Sequence, residues 1–212
     1  MSFAKTYSAQ TVYLNGTIID VEVDLSKGLH SFSVVGLPDK AVEEAKDRVS
    51  AAIKNSGYKA PKGHNQKIVV SLAPADIKKE GPAFDLAVAL SYLLATGEIN
   101  FSQEKKIFLG ELSLDGKLRR ISGALPLVIA AKNAGFEEVY LPKSNSDEAS
   151  LVSDIKIFPA DTLTEVIAHL TSKNESNKIT PLAHRAINSE VIEPELDFGD
   201  IKGQQNAKRG LL

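Results

Sequence analysis

Residues 84–95, FDLAVALSYLLA, are apolar on nearly every side of the helix they would form. A membrane span needs about 20 such residues, so this segment leaves water only if protein covers most of its faces. The rest of the chain must therefore supply layers around a central helix. Just upstream, QKIVVSLA (66–73) reads as a strand buried on both sides. Downstream, KIFLGEL (106–112) reads as a short strand that returns through LDGKL, where Asp115-Gly116 is a strong turn signal.

The N-terminal stretch from Thr6 to Pro38 alternates apolar with polar residues and is broken at Asn15-Gly16 and Lys27-Gly28. That pattern predicts an antiparallel meander of three strands. Between Pro38 and Gly57 the period changes: Val42, Ala45, Val49, Ala52 and Ile53 share one helical face, with Glu44 and Arg48 spaced i,i+4 on an outer face read as solvated. After residue 121 the pattern runs helix (121–135), strand (136–142), helix (145–152), strand (155–160) and helix (161–170). Such alternation favours helices layered on a sheet with some parallel pairing. From Thr171 the chain turns polar and is twice interrupted by proline, as in a linker. The last residues, DIKGQQNAKRGLL, begin a new helix and stop on two leucines, which suggests a pattern that continues further.

Several function classes are disfavoured by composition. With 25 basic and 27 acidic residues the formal charge is −2, so no whole-molecule field draws the chain to nucleic acid or an anionic membrane. Cysteine is absent, which excludes disulfides and thiolate chemistry. Four histidines remain, His30, His64, His169 and His184, none at i,i+3 or i,i+4 spacing, so no metal site is expected. The N-terminus lacks a secretory signal pattern and no apolar run reaches membrane length. A cytoplasmic protein without a membrane partner is expected.

Chemistry, if any, should centre on the charged turn that precedes the central helix. Gly81-Pro82 followed by a helix N-terminus can present backbone N–H groups to a developing oxyanion. The residue placed to attack there is Ala83, which carries no nucleophile. Ser91 falls on the buried helix and Ser122 suits a helix N-cap. Asp85, in the first helical turn, suits the macrodipole, and Asp76 and Glu80 beside Lys78 and Lys79 read as a solvated turn. Two basic clusters, Lys117, Arg119 and Arg120, and Lys59, Lys62, His64 and Lys67, are either phosphate contacts or ordinary surface charge.

The layout APADIKKEGPAFDLAVAL (73–90), then LGELSLDGKLRRISGALPLVIAAKNAGFEEVYLP (109–142), resembles the Lon peptidase domain. That resemblance places the family's catalytic serine on Ala83 and its lysine on Leu127. Losing both removes nucleophile and base together. More specifically, VVGLPDKAVEEAKDRVSAAIKNSG, VSLAPADIKKEGPAFDLAVAL and DIKGQQNAKRGLL occur in the order found in magnesium-chelatase-like AAA+ ATPases of the YifB/ComM type, and the chain is similar to them over nearly its whole length.

What this resemblance implies is an α+β, Lon-protease-like (ribosomal-protein-like) fold with a mixed sheet and a left-handed β-α-β crossover. It also implies a non-peptidase domain over 1–171, a linker over 172–196 and the truncated start of an AAA+ domain over 197–212. The full-length protein would be a homo-hexameric, DNA-acting ATPase using ATP and Mg, linked in ComM members to branch migration during natural transformation. This region would serve substrate engagement or assembly, with docking of a protein partner in the old peptidase cleft as the alternative. Ile201 and Gly203 would lie on the adenine side of the nucleotide site. The phosphate-binding pattern G-x-x-x-x-G-K-[ST] does not occur in these 212 residues, so no ATP hydrolysis is expected of them.

Overall fold

The computed structural model describes residues 2–62, 65–186 and 199–211. Strands β1 (Phe3–Val12) and β2 (Asn15–Lys27) form an antiparallel hairpin with Ala9 opposite Ile18. β3 (Ser31–Val35) does not pair with β2. Strand β4 (Gln66–Ala73) lies between them, antiparallel to β2 and parallel to β3, so the sheet order is β1-β2-β4-β3. The expected three-strand meander is thus a hairpin plus a crossover through α1 (Lys40–Asn55). Alternation identifies strands but does not say which edge each one takes, and the apolar β4 fills the place beside β2.

The hairpin turn also differs from expectation. Val12 pairs with Asn15, so Tyr13 and Leu14 make the turn and Tyr13 takes φ 57°. Gly16 lies inside β2, where a Cβ would sit 2.6 Å from the Pro126 carbonyl oxygen. Its glycine serves a close approach to α3 (Ala124–Asn133) and not a turn.

On α1, Asp39 caps the N-terminus by accepting from Val42 N at 2.8 Å, and the stripe Val42, Ala45, Val49, Ala52 and Ile53 is buried. Helix α2 (Asp85–Thr96) is buried from Asp85 through Ala95, as its sequence required, and ends at Gly97 in the left-handed conformation, φ 79°. It packs on β1 and β2 and beside α1, within the core that includes Ile19, Val21, Val23, Ile68, Val70 and Leu72. β4 departs from the reading as doubly buried: Ile68, Val70 and Leu72 are buried, whereas Val69 and Ser71 are half-buried. Along β4, helices cover one face of the sheet.

A second, parallel sheet has the order β5-β8-β9, from β5 (Lys106–Phe108), β8 (Glu138–Pro142) and β9 (Lys156–Ala160). The expected single strand over 106–112 splits into β5 and β6 (Glu111–Leu112), the latter forming a ribbon with β7 (Leu118–Arg119). The split falls at Gly110, whose N–H donates to Ala83 O at 2.9 Å and whose carbonyl accepts from Leu86 N at 3.1 Å. Here the backbone leaves one sheet to hold the start of α2. Helix α4 is one turn (Ser146–Ala149), and α5 spans Leu163–Thr171. A second core gathers Ala9, Ile107, Leu109, Leu127, Val128, Val139 and Leu141 beneath α3.

Residues 172–186, expected as the first part of a linker, lie on the domain. Ile179 N donates to His169 Nδ1 at 2.8 Å, Leu182 N to Ile157 O at 2.8 Å and Arg185 N to Ser150 O at 2.8 Å. The remainder of that linker, 187–196, lies outside the described residues, as does His64. Helix α6 (Gln205–Leu211) follows Gly203, which has φ 74°.

Candidate functional site

The turn between β4 and α2 is clamped from both sides. Gln10 Nε2 donates to Lys78 O at 2.8 Å, and its Oε1 accepts from Glu80 N at 3.1 Å. Opposite, Asp39 N donates to Lys79 O at 2.9 Å, Lys79 N to Leu37 O at 3.0 Å and Gly81 N to Asp39 Oδ2 at 3.2 Å. Lys79 itself is buried: its Nζ donates to Ile77 O at 2.7 Å and to Pro74 O, and burial lowers its pKa. The reading of 76–80 as a solvated turn therefore fails at Lys79, whose ammonium holds the turn's own carbonyls. Lys78 and Glu80 do form an exposed pair at 2.8 Å.

Between this turn and the start of α3 lies a cleft of about 390 Å³. Ala83 and Leu127, more than forty positions apart in sequence, both line it, together with Gln10, Thr11, Glu111, Arg120 and Ser122. Leu127 is buried against the second core. Among the described residues, no lysine or histidine lines this cleft, whose ionisable groups are Glu80, Glu111 and Arg120. Ser122 is exposed and is not the N-cap of α3; Gly123 is, at φ 72°, where a Cβ would meet Thr11 Cγ2. Ser91 is buried and committed to Thr6 Oγ1 at 2.7 Å and Val21 O at 3.3 Å.

Asp85 does more than complement a helix dipole. Its side chain is buried, and Arg48 reaches across from α1 to donate Nε to Oδ2 at 2.8 Å and an Nη to Oδ1 at 3.1 Å. Leu112 N donates to the same carboxylate at 3.1 Å. Burial pushes the Asp85 carboxyl up to about 6, against the downward pull of Arg48 and Leu112. One buried side chain so ties α1, α2 and β6 together. No local pattern pointed to this, since i,i+4 spacing assigned Arg48 to Glu44.

The basic clusters divide. Lys117 pairs with Asp115 at 3.1 Å, Arg119 with Glu111 at 3.4 Å and Arg120 with Glu148 at 3.0 Å. Hydrogen bonds from Ser113 and Lys117 lower the pKa of Asp115 to about 2. Lys62 pairs with Asp47 at 2.6 Å. Among the described residues Lys59 and Lys67 are exposed and form no ion pair. Lys59 borders a larger cavity, about 580 Å³, whose floor includes Tyr92, with its hydroxyl accepting from Gln66 Nε2 at 2.9 Å. Ile201 is exposed, and its carbonyl accepts from Lys208 Nζ. Among the described residues no group of three acidic or histidine side chains could hold a metal ion, and no helix is long and apolar enough to cross a membrane.

Residues 21–145 match the family model for subunit ChlI of Mg-chelatase. The chain is 39% identical over its full length to competence protein ComM of Haemophilus influenzae, covering 41% of that relative. It is 37% identical over its full length to the uncharacterized protein YifB of Escherichia coli, covering 40% of it. A more distant likeness, 25% identity over 85% of this chain and 22% of the relative, is to Lon protease of Leptospira interrogans. The chain thus spans about two fifths of the length of the ComM and YifB relatives it matches.

Proposed function

We propose, on the premise that the chain belongs to the family of the Mg-chelatase subunit ChlI, that it is the non-catalytic N-terminal region of a longer AAA+ ATPase of the ComM kind. In this reading residues 1–171 are a Lon-type domain with one left-handed β-α-β crossover, 172–186 a segment held on that domain, 187–196 the linker and 197–212 the start of the ATPase domain. The longer protein is cytoplasmic and hexameric, uses ATP and Mg, and acts on DNA during natural transformation by branch migration. This chain contributes substrate engagement or assembly. ATP does not fit the residues present, because no phosphate-binding G-x-x-x-x-G-K-[ST] occurs among them. Ile201 and Gly203 would need the residues of that loop to form an adenine pocket.

The observation that carries the non-catalytic reading is the cleft where Ala83 and Leu127 meet without a lysine or histidine beside them. A salt titration of duplex and branched DNA binding tests the engagement role. Within the two basic clusters, Lys59 and Lys67 are the described cations without an ion pair, and replacing both with alanine should weaken binding uniformly and flatten the salt slope by about 2. No binding at low salt would leave assembly alone. A second reading, a docking module for a protein partner, is favoured by the cleft remaining open, at about 390 Å³. Filling it with Ala83→Trp should then abolish partner capture while leaving DNA binding unchanged.

A further inference from the structure

The cavity of about 580 Å³ by the end of α2 shares no lining residue with the cleft at Ala83 and Leu127. Small-molecule sites usually measure about 300–1,000 Å³. Tyr92 lies in its floor with 1% of its surface exposed, and the phenol oxygen accepts from Gln66 Nε2 at 2.9 Å. Both partners of that bond line the cavity, and the phenol's own proton has no acceptor among the described residues. Burial, chiefly, with the charge of Glu98, raises the Tyr92 pKa against the hydrogen bond from Gln66, so the hydroxyl remains a donor at neutral pH. A buried donor left unmade costs stability, and such groups call for an explanation. Lys27 stands directly across from Gln66 in the β2–β4 ladder, which sets both side chains on the helix-covered face of the sheet. Lys59, on the loop after α1, lines the same cavity. Both lysines are exposed, and neither forms an ion pair among the described residues. Half-buried Glu98 accepts from Lys59 N at 3.1 Å through Oε2, which leaves Oε1 without a partner.

We propose that this cavity binds a small phosphate monoester carrying a hydroxylated sugar, the chemistry shared by sugar phosphates and nucleoside monophosphates. Lys27 and Lys59 together match a dianion, and the Tyr92 hydroxyl donates to a phosphate oxygen. Glu98 repels a phosphate set beside it, so the ligand turns its sugar there and a hydroxyl donates to Oε1. The mixture of groups selects the class. A neutral sugar leaves two ammonium groups unmatched, and inorganic phosphate leaves the carboxylate unmatched. A surface that only tracks a nucleic-acid backbone needs cations alone, with neither a buried phenol nor a carboxylate among them. The inference therefore goes beyond the DNA engagement proposed above, which uses Lys59 and Lys67 as surface charges and makes no use of Tyr92, Lys27 or Glu98.

Isothermal titration calorimetry with ribose 5-phosphate tests this, with ribose and inorganic phosphate as reference probes. One saturable site is expected, with ribose 5-phosphate bound about tenfold more tightly than either. Tyr92→Phe keeps the ring and removes the donor, and should weaken binding about tenfold; circular dichroism checks that this variant stays folded. Lys27→Ala, at an exposed position, should give a comparable loss. Glu98→Gln should tighten inorganic phosphate and cancel the advantage of ribose 5-phosphate over it. Adenosine monophosphate that binds more tightly than ribose 5-phosphate identifies a nucleotide as the source, and weaker binding identifies a sugar phosphate. A titration without saturable binding overturns the proposal. So does an affinity that Lys27→Ala and a folded Tyr92→Phe both leave unchanged, or displacement of ribose 5-phosphate by an oligothymidine without terminal phosphate, since a phosphodiester would then suffice. Tyr92→Phe should leave the salt slope of DNA binding unchanged, so failure here is distinct from failure of the engagement role.

Discussion

The carboxylate of Asp85 shows how one buried group links chemistry to stability. Removing its partner by Arg48→Met strands a charge inside the protein, which by analogy with other broken buried pairs destabilises by about 3 kcal/mol. Urea unfolding at neutral pH reads this directly. Because the folded-state pKa is raised to about 6 from 3.8, the folded state binds the extra proton between those values. The Asp85 contribution is then greatest below about pH 4 and is lost as pH rises through about 6. Wild type should lose stability over that window relative to Asp85→Asn, which has no proton to release; parallel pH curves for the two proteins would contradict this. Arg48 was legible as a helical surface residue, but its partner was not, since Asp85 is 37 positions away. Lys79 was missed for the same reason: its burial follows from the fold of the 74–81 turn around it.

Among the elements, the β1–β2 hairpin and the 172–186 segment show where local signals mislead. Asn-Gly is a strong turn signal, yet Gly16 is used to let α3 approach. Gly16→Ala would place a methyl 2.7 Å from Ala130 Cβ as well as against Pro126 O. It should lower the unfolding free energy by about 1–3 kcal/mol, as read by urea unfolding. The 172–186 segment is held through His169, whose Nδ1 must be unprotonated to accept from Ile179. Burial, chiefly, and the nearby charge of Lys178 lower the His169 pKa. Its neutral form is favoured above the ordinary histidine pKa of about 6.5, and the segment loses this anchor as pH falls below the depressed folded value. Amide exchange protection at Ile179 should drop on acidification and already be low at neutral pH in His169→Ala. Polar composition and two prolines read as linker because neither reports a histidine waiting on another element.

For the whole molecule, β1 belongs to both cores: Ala4 sits in the one beneath α1 and α2, while Ala9 lies in the one beneath α3. A strand shared in this way couples the two halves, so unfolding should be a single cooperative transition. Far-ultraviolet circular dichroism and tyrosine fluorescence, the latter free of tryptophan background, should give coincident curves. Separate midpoints would mean that the parallel sheet unfolds independently. The resemblance to the Lon peptidase domain singled out two positions, Ala83 and Leu127. Their meeting in one cleft required the fold, because α2 and α3 are brought together through Gly110 and the second core.

The order of residues by itself determined the buried stripe of α1, the complete burial of 85–95, some parallel pairing among the strands after residue 121 and the hydrocarbon at positions 83 and 127. Only the tertiary structure decided that β4 separates β2 from β3, that Arg48 grips Asp85, that Lys79 turns inward and that β3 is left as an open edge. The physical reason is range. Periodicity and turn chemistry record what a residue needs from its neighbours within a few positions, whereas the identity of the group that meets it across the core is settled by packing the elements together.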